Sequence, residues 1–220
     1  MPRSLVIAGA AVLALLTACA PAQVIDRGRI DAREVTLTFD TAYDTQYTAA
    51  VLDVLDDFDV DATMFVTGEW AEANPELLRR MVAEGHLVGN HSYSHPDMTT
   101  VSDAAVTSQL RRAEDAIVSR TNRSTKPYFR PPYGAQNAHL NQLLGNEGFR
   151  FDVLWTVDSV DWQPNVTLEQ LVRRVLTAAR PGAIILLHDG GGDRSATVAA
   201  LPTIITGLRR LGLTLTVLPT

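Results

Sequence analysis

From residue 34 onward, short apolar runs alternate with amphipathic segments, and the period of each run predicts its conformation. Residues 35–39 alternate with period two and read as a strand, while Ala50, Val51, Val54, Leu55 and Phe58 recur at helical spacing within 46–58. Residues 62–66 are a second strand. Asn74-Pro75 opens a helix with a buried stripe of Leu77, Leu78, Met81 and Val82, Gly85 closes it, and Leu87-Val88 is a brief third strand. Residues 102–120 are helical, with Val106, Leu110, Ala113 and Ile117 in phase; Tyr128-Phe129 is a short strand cut off by Pro131-Pro132; 137–147 is a helix ended at Gly148. One strand is expected over 149–157, with Phe151, Val153, Trp155 and Val157 on one face. Thr167 and Gln170 have the spacing of a capping box for a helix running to Arg180, and 183–187 is a fully apolar strand of the kind buried on both faces. A helix over 196–211 and a strand over 213–218 complete the pattern.

About seven strand–helix alternations imply a parallel α/β fold with right-handed crossovers. The polar residues favour a barrel over an open sheet. Asp40 ends the first strand, His91 follows the third, Arg130 ends the fourth, Asp158 and Asp161 follow the fifth, and His188 ends the sixth. All stand at strand carboxyl ends, which converge on one face of a barrel. An open doubly wound sheet would spread them along a line, and would place a glycine-rich phosphate turn where this chain has Asp40-Thr41-Ala42-Tyr43.

The first residues follow a different pattern. Arg3 precedes an apolar run over 5–16 that is too short to span a membrane as a mature helix and reads as a secretory signal. It ends Leu16-Thr17-Ala18-Cys19, which resembles the lipobox of bacterial lipoproteins; a plain cleaved signal is the other reading. The expected organisation is therefore a signal peptide over 1–18, a tether over 19–33 beginning at a lipid-modified Cys19, and one domain over 34–220. The protein is expected to be exported and anchored to the outer face of the bacterial cell membrane, touching it through that lipid alone. Cys19 is the only cysteine, so no disulfide is expected. At 46% apolar and 20% charged residues the composition is that of a soluble globular domain, and a net charge of −6 without a basic cluster argues against nucleic acid as the partner. Nothing in the sequence indicates an oligomeric state.

Candidate chemistry centres on Asn90-His91-Ser92-Tyr93-Ser94-His95-Pro96. Two histidines four residues apart can turn imidazole nitrogens onto one cation. A cation held there would polarise a carbonyl and acidify a water, Asp40 is placed to take that water's proton, and His188 to protonate a leaving group. Asp161 would keep His188 charged and Arg130 would keep Asp40 ionised. Singly, each has a structural reading: an aspartate as loop cap, Arg130 paired at the surface, His188 as a satisfied core histidine. Together they form a hydrolytic set. No Gly-x-Ser-x-Gly nucleophile is present. Gly190-Gly191-Gly192 reads either as a mobile rim loop or as an ordinary turn.

Five motifs occur in order: Thr38-Phe39-Asp40, His91-Ser92-Tyr93-Ser94-His95, Arg130-Pro131-Pro132-Tyr133-Gly134, Asp158-Ser159-Val160-Asp161-Trp162 and Leu186-Leu187-His188. On these, residues 34–218 resemble polysaccharide deacetylases of the NodB-homology type, carbohydrate esterase family 4. The resemblance implies a distorted (β/α)7 barrel that removes acetyl groups from N-acetylated sugars. It implies Asp40 as base with Arg130 as its partner, His188 as acid with Asp161 as its partner, and His91 and His95 as ligands of a divalent metal, zinc first, with cobalt or manganese as other options. Tyr133, Trp162 and Leu186 would line the acetyl pocket, with the Tyr133 backbone N–H on the oxyanion.

One position departs from the family's commonest pattern: the aspartate that completes the metal triad is here Thr41. A hydroxyl is a poor zinc ligand, so weaker binding or a two-histidine site completed by water and substrate is expected. Asp44 reaches back to the metal in one reading and caps the next helix in the other. The variant motif with Tyr43-Asp44 is similar to that of members acting on muramic acid residues. The expected partner is accordingly an acetylated glycan, peptidoglycan first, with chitin oligomers or another acetylated polysaccharide next. The reading outside catalysis is a decayed, surface-anchored carbohydrate-binding protein.

Overall fold

Period-two alternation decides which side chains meet inside the sheet, and β2 (Glu34–Thr41) shows it most clearly. Its odd-numbered residues Val35, Leu37 and Phe39 face the helices and join the larger apolar core, while Thr36, Thr38 and Asp40 face inward. The structure, a computed structural model, describes residues 19–219; the signal-peptide expectation for 1–18 lies outside the described residues.

After β1 (Gln23–Ile25) and β2 come α1 (Thr48–Asp57), β3 (Thr63–Val66), α2 (Gly68–Ala73), α3 (Pro75–Ala83), β4 (Leu87–Asn90), α4 (Asp103–Thr121) and β5 (Tyr128–Phe129). Then follow α5 (Ala138–Asn146), β6 (Phe151–Val153), β7 (Val157–Asp158), α6 (Leu168–Ala178), β8 (Ile184–His188), α7 (Ser195–Arg210) and β9 (Thr214–Leu215). All the strand pairs are parallel, in the order β1-β6-β5-β4-β3-β2-β8-β7, with β9 added beside β2. The sheet curls around Phe65, Tyr128, Val153, Ile184 and Leu218, which fill its interior, and the helices cover the outside. The capping box forms as its spacing predicts: Thr167 Oγ1 accepts from Gln170 N–H at 3.3 Å, and Gln170 Oε1 accepts from Thr167 N–H at 3.1 Å.

Three expectations change. The strand expected over 149–157 breaks into β6 and β7, which lie toward opposite ends of the sheet. Phe151, Val153 and Trp155 keep the interior alternation, but Leu154 N–H bonds to Ile25 O and Thr156 N–H to Ile184 O, so the chain itself crosses the open seam of the barrel. Secondly, the segment 19–33 is not a free tether. Gln23–Ile25 adds an edge strand to β6, Ala22 is buried against α5, and Ala20 lies against Gly145, where a β-carbon would come within 2.0 Å of the Ala20 carbonyl. Thirdly, α2 forms where no helix was expected. Gly68 makes it possible by admitting the Tyr93 ring, which would sit 2.4 Å from an added β-carbon.

Candidate active site

Strand register assembles the first pair. β2 and β8 run side by side with Asp40 opposite His188, so both inward rows end at the same level. Asp40 Oδ1 accepts from Arg130 Nη1–H at 2.8 Å. Arg130 is fully buried and uses its remaining donors on Thr38 Oγ1, Val153 O and Leu154 O, while its plane lies 4.2 Å over the Phe65 ring. Those two carbonyls belong to the seam between β6 and β7, so Arg130 closes the barrel and orients the carboxylate together. Burial alone would raise the Asp40 pKa; the charge of Arg130, foremost, and its hydrogen bond outweigh it and hold the carboxyl below its ordinary value.

His188 is held from behind. Its Nδ1 donates to Asp161 Oδ1 at 2.7 Å, its backbone N–H donates to Asp161 Oδ2 at 2.9 Å, and Thr197 Oγ1 donates to the same oxygen at 3.0 Å. Burial pulls the His188 pKa down, but the hydrogen bond and charge of Asp161 prevail and raise it above the ordinary value. The imidazole is thus kept protonated with Nε2–H free for the cavity.

The two motif histidines converge. His91 is buried, and its Nδ1 donates to Arg130 O at 2.8 Å, which leaves the Nε2 lone pair bare. His95 Nδ1 meets the Tyr43 hydroxyl at 2.9 Å, and the two Nε2 atoms face one another at 3.1 Å. Asp40 Oδ2 stands 3.6 Å from His91 Nε2. Burial lowers both histidine pKa values, that of His95 to about 4 with help from His91, so both rings are neutral near pH 7. Two neutral imidazoles aiming ring nitrogens at one point suit a shared divalent cation. Among the described residues no group of three or more His, Cys, Asp or Glu side chains is placed to hold a metal ion.

Thr41 does not complete such a set. One residue beyond inward Asp40, it turns outward, is fully buried, and its hydroxyl donates to Asp189 Oδ2 at 3.1 Å. Asp44 neither reaches the histidines nor caps the next helix: its carboxylate accepts from Gln46 N–H at 3.2 Å in a local turn ahead of α1, whose N-cap Tyr47 makes no side-chain cap bond, and from Gly191 N–H at 3.0 Å, a brace on the glycine loop. That loop is pinned. Arg194, buried among it, donates to the carbonyls of Gly190, Gly191, Asp193 and Asp161. Around this floor opens a cavity of about 560 Å³ lined by Asp40, His91, His95 and His188, with Leu186 and Trp155 beside them and Tyr43, Tyr133 and Trp162 at its mouth. Those three mouth aromatics are 68%, 68% and 49% exposed, the kind of face on which a sugar ring stacks. Strain marks the same loops: Tyr43, Ser92, His95, Tyr133 and Val160 all adopt positive φ, from 58° to 67°.

Two ion-paired groups, two converging histidines and an aromatic-rimmed cavity share one face of the barrel, and residues 27–151 match the family described as polysaccharide deacetylase. The chain belongs to this family. It is 40% identical over 206 residues to a chitooligosaccharide deacetylase of Rhizobium leguminosarum bv. trifolii, covering 88% of this chain and 94% of the relative. The Bc1960 peptidoglycan N-acetylglucosamine deacetylase superimposes with a TM-score of 0.85 at 34% identity, over 89% of this chain and 91% of that one. BA3943 of Bacillus anthracis, a family 4 pseudoenzyme, superimposes with a TM-score of 0.82 at 33% identity, over 90% and 68%.

In this polysaccharide deacetylase every residue that the motifs nominated borders the cavity or braces one that does, Thr41 excepted. Sequence reasoning missed Arg194, Thr197, Asp189 and the brace on His95, all of which act through contacts across elements. Asp189 is fully buried, and burial raises its carboxyl pKa to about 7. Its position directly after His188 was the only available signal.

The charge states predict a pH profile. Catalysis that needs ionised Asp40 and protonated His188 is lost as pH falls through the lowered Asp40 pKa and as it rises through the raised His188 pKa. Asp161→Asn removes the negative charge that helps raise the latter, while its amide oxygen can keep only a weaker hydrogen bond to Nδ1. The alkaline limb of kcat/KM should therefore shift to lower pH. An unmoved limb would rule out His188 as the group that titrates there.

Proposed function

We propose that this protein is a cation-dependent N-deacetylase of N-acetylated amino sugars in a cell-wall glycan, peptidoglycan first. The observation that carries the reading is the pair of Nε2 atoms at 3.1 Å, set between the Asp40–Arg130 and His188–Asp161 pairs. His91 and His95 would hold the cation, for which zinc fits two neutral imidazoles best. Once bound, it supplies Lewis-acid polarisation of the acetyl carbonyl and a more acidic water. Asp40 takes the proton from that water as it attacks, and Arg130 keeps the carboxylate ionised and aimed. His188 protonates the departing sugar amine, and Asp161 keeps its proton in place until then. The Tyr133 backbone N–H steadies the oxyanion, Leu186 and Trp162 enclose the methyl group, and Tyr43 and Tyr133 offer faces to the sugar.

The chitooligosaccharide deacetylase among the relatives favours a second substrate, an oligomer of N-acetylglucosamine. The decayed reading is set against intact acid and base pairs. Export and a lipid anchor on Cys19 belong to this proposal, and the exposure of Cys19 is compatible with them.

Acetate release is the test. Purified protein stripped with a chelator should be inactive on peptidoglycan fragments and on N-acetylglucosamine oligomers, and should recover with added zinc or cobalt. Undiminished release after stripping would remove the cation from the mechanism. No release from any acetylated glycan with any divalent metal would leave only sugar binding.

A further inference from the structure

We propose that Tyr43 is a positioning residue of the cation site: its hydroxyl accepts the Nδ1–H of His95 and fixes that ring with Nε2 turned toward His91. This rests on the cation-dependent reading above.

His95 needs such a brace more than His91 does. His91 is buried and has a backbone carbonyl, Arg130 O, on its Nδ1. His95 lies on a loop at φ 61°, is only partly buried, and is tied locally by its backbone N–H to Ser92 Oγ at 3.0 Å. That bond places its main chain and leaves the ring free to rotate. The hydroxyl of Tyr43, 52 residues away on the first-motif loop, meets His95 Nδ1 at 2.9 Å, and the Tyr43 and Tyr133 rings flank the imidazole edge-on, with centroids at 5.3 and 4.7 Å. The carbonyl on His91 Nδ1 can only accept and so bares its Nε2 lone pair; the Tyr43 hydroxyl can accept the corresponding proton of His95, the tautomer that a cation on Nε2 requires.

The brace matters because Thr41 is turned away to Asp189, so the position expected to give a third ligand does not join the two histidines. With two protein ligands instead of three, the orientation and basicity of each carry more of the affinity. Tyr43 adopts φ 67°, a conformation a tyrosine seldom takes, and it places the hydroxyl on the ligand.

The experiment is a titration of the full chain with Zn²⁺ and with Co²⁺ alone, by chelator competition, in the wild type, Tyr43→Phe, His95→Gln and the double variant. Tyr43→Phe keeps the ring and loses only the hydroxyl; it should weaken both metals about tenfold or more. In the His95→Gln background the same change should alter affinity less than about twofold, because the ring through which it acts is gone. Thermal unfolding of the metal-free forms should be unchanged by Tyr43→Phe, since the side chain is exposed. Equal metal affinity in wild type and Tyr43→Phe, or an equal loss with and without His95, would overturn the proposal. A wild type that binds neither metal would instead overturn the cation-dependent reading itself.

Discussion

Asp40→Asn should reduce acetate release by about 10²- to 10⁴-fold while leaving the fold in place. The substitution is nearly isosteric, and an amide oxygen can still accept the 2.8 Å bond from Arg130 Nη1–H, so barrel closure survives. The amide cannot accept a proton from attacking water. The neighbouring groups are engaged otherwise: His188 holds its proton on Asp161, the Nε2 atoms of His91 and His95 are turned on one another, and Asp189 faces away with Thr41. Acetate release measured beside a thermal unfolding curve checks both halves. Retained activity would show that another group takes the proton.

Arg130→Leu should be the most destabilising single change at the site, by about 3–5 kcal/mol, and should abolish activity as well. It leaves Asp40 without its main counter-charge in a site where that side chain is only 11% exposed. It also strips the seam carbonyls Val153 O and Leu154 O of their donor. The pH dependence carries the sign. In the wild type the depressed Asp40 pKa contributes stability that is present above the unfolded value of about 3.9 and lost as pH falls through the folded value. Without Arg130, burial acts to raise the Asp40 pKa, and protonation then relieves the unpaired charge. The stability gap between the two proteins should therefore narrow between pH 7 and pH 4 in urea unfolding. A gap of constant size would show that Arg130 acts by packing alone.

The chemistry of this chain is written in short local strings, which is why so much of it was legible. Asp40, His91, Arg130 and His188 lie at or directly after strand ends, with His95 and Asp161 on the loops that follow, and parallel register brings strand ends together whatever the details of the helices. What depends on the partner strand was not legible. The alternation through Trp155 is real, yet no local signal says that Leu154–Thr156 crosses a seam instead of continuing a ladder. Gln23–Ile25 has no periodicity of its own and becomes a strand only because β6 offers an edge. The glycine loop shows the same limit: Gly190-Gly191-Gly192 alone would permit motion, while Arg194 just after it and Asp44 from the first-motif loop hydrogen-bond to its backbone. Thr41 is a different case, since its outward direction follows from the inward direction of Asp40 by strand period alone.

The edge strand β1 gives the molecule a direction. It runs parallel to its neighbours, so residues 19–22 lie beneath the barrel, at the end opposite the cavity, packed along α5 with Gln142 Nε2–H on Cys19 O. The eight residues of β2 set the height between those two ends at about 25 Å. Under the proposal that the chain is attached through Cys19, the packing of residues 19–22 on α5 would put the aromatic mouth at the end away from the point of attachment. The protein's reach under that proposal would be a shell of nearly constant depth, and the glycan strands within it would be the ones it meets while attached.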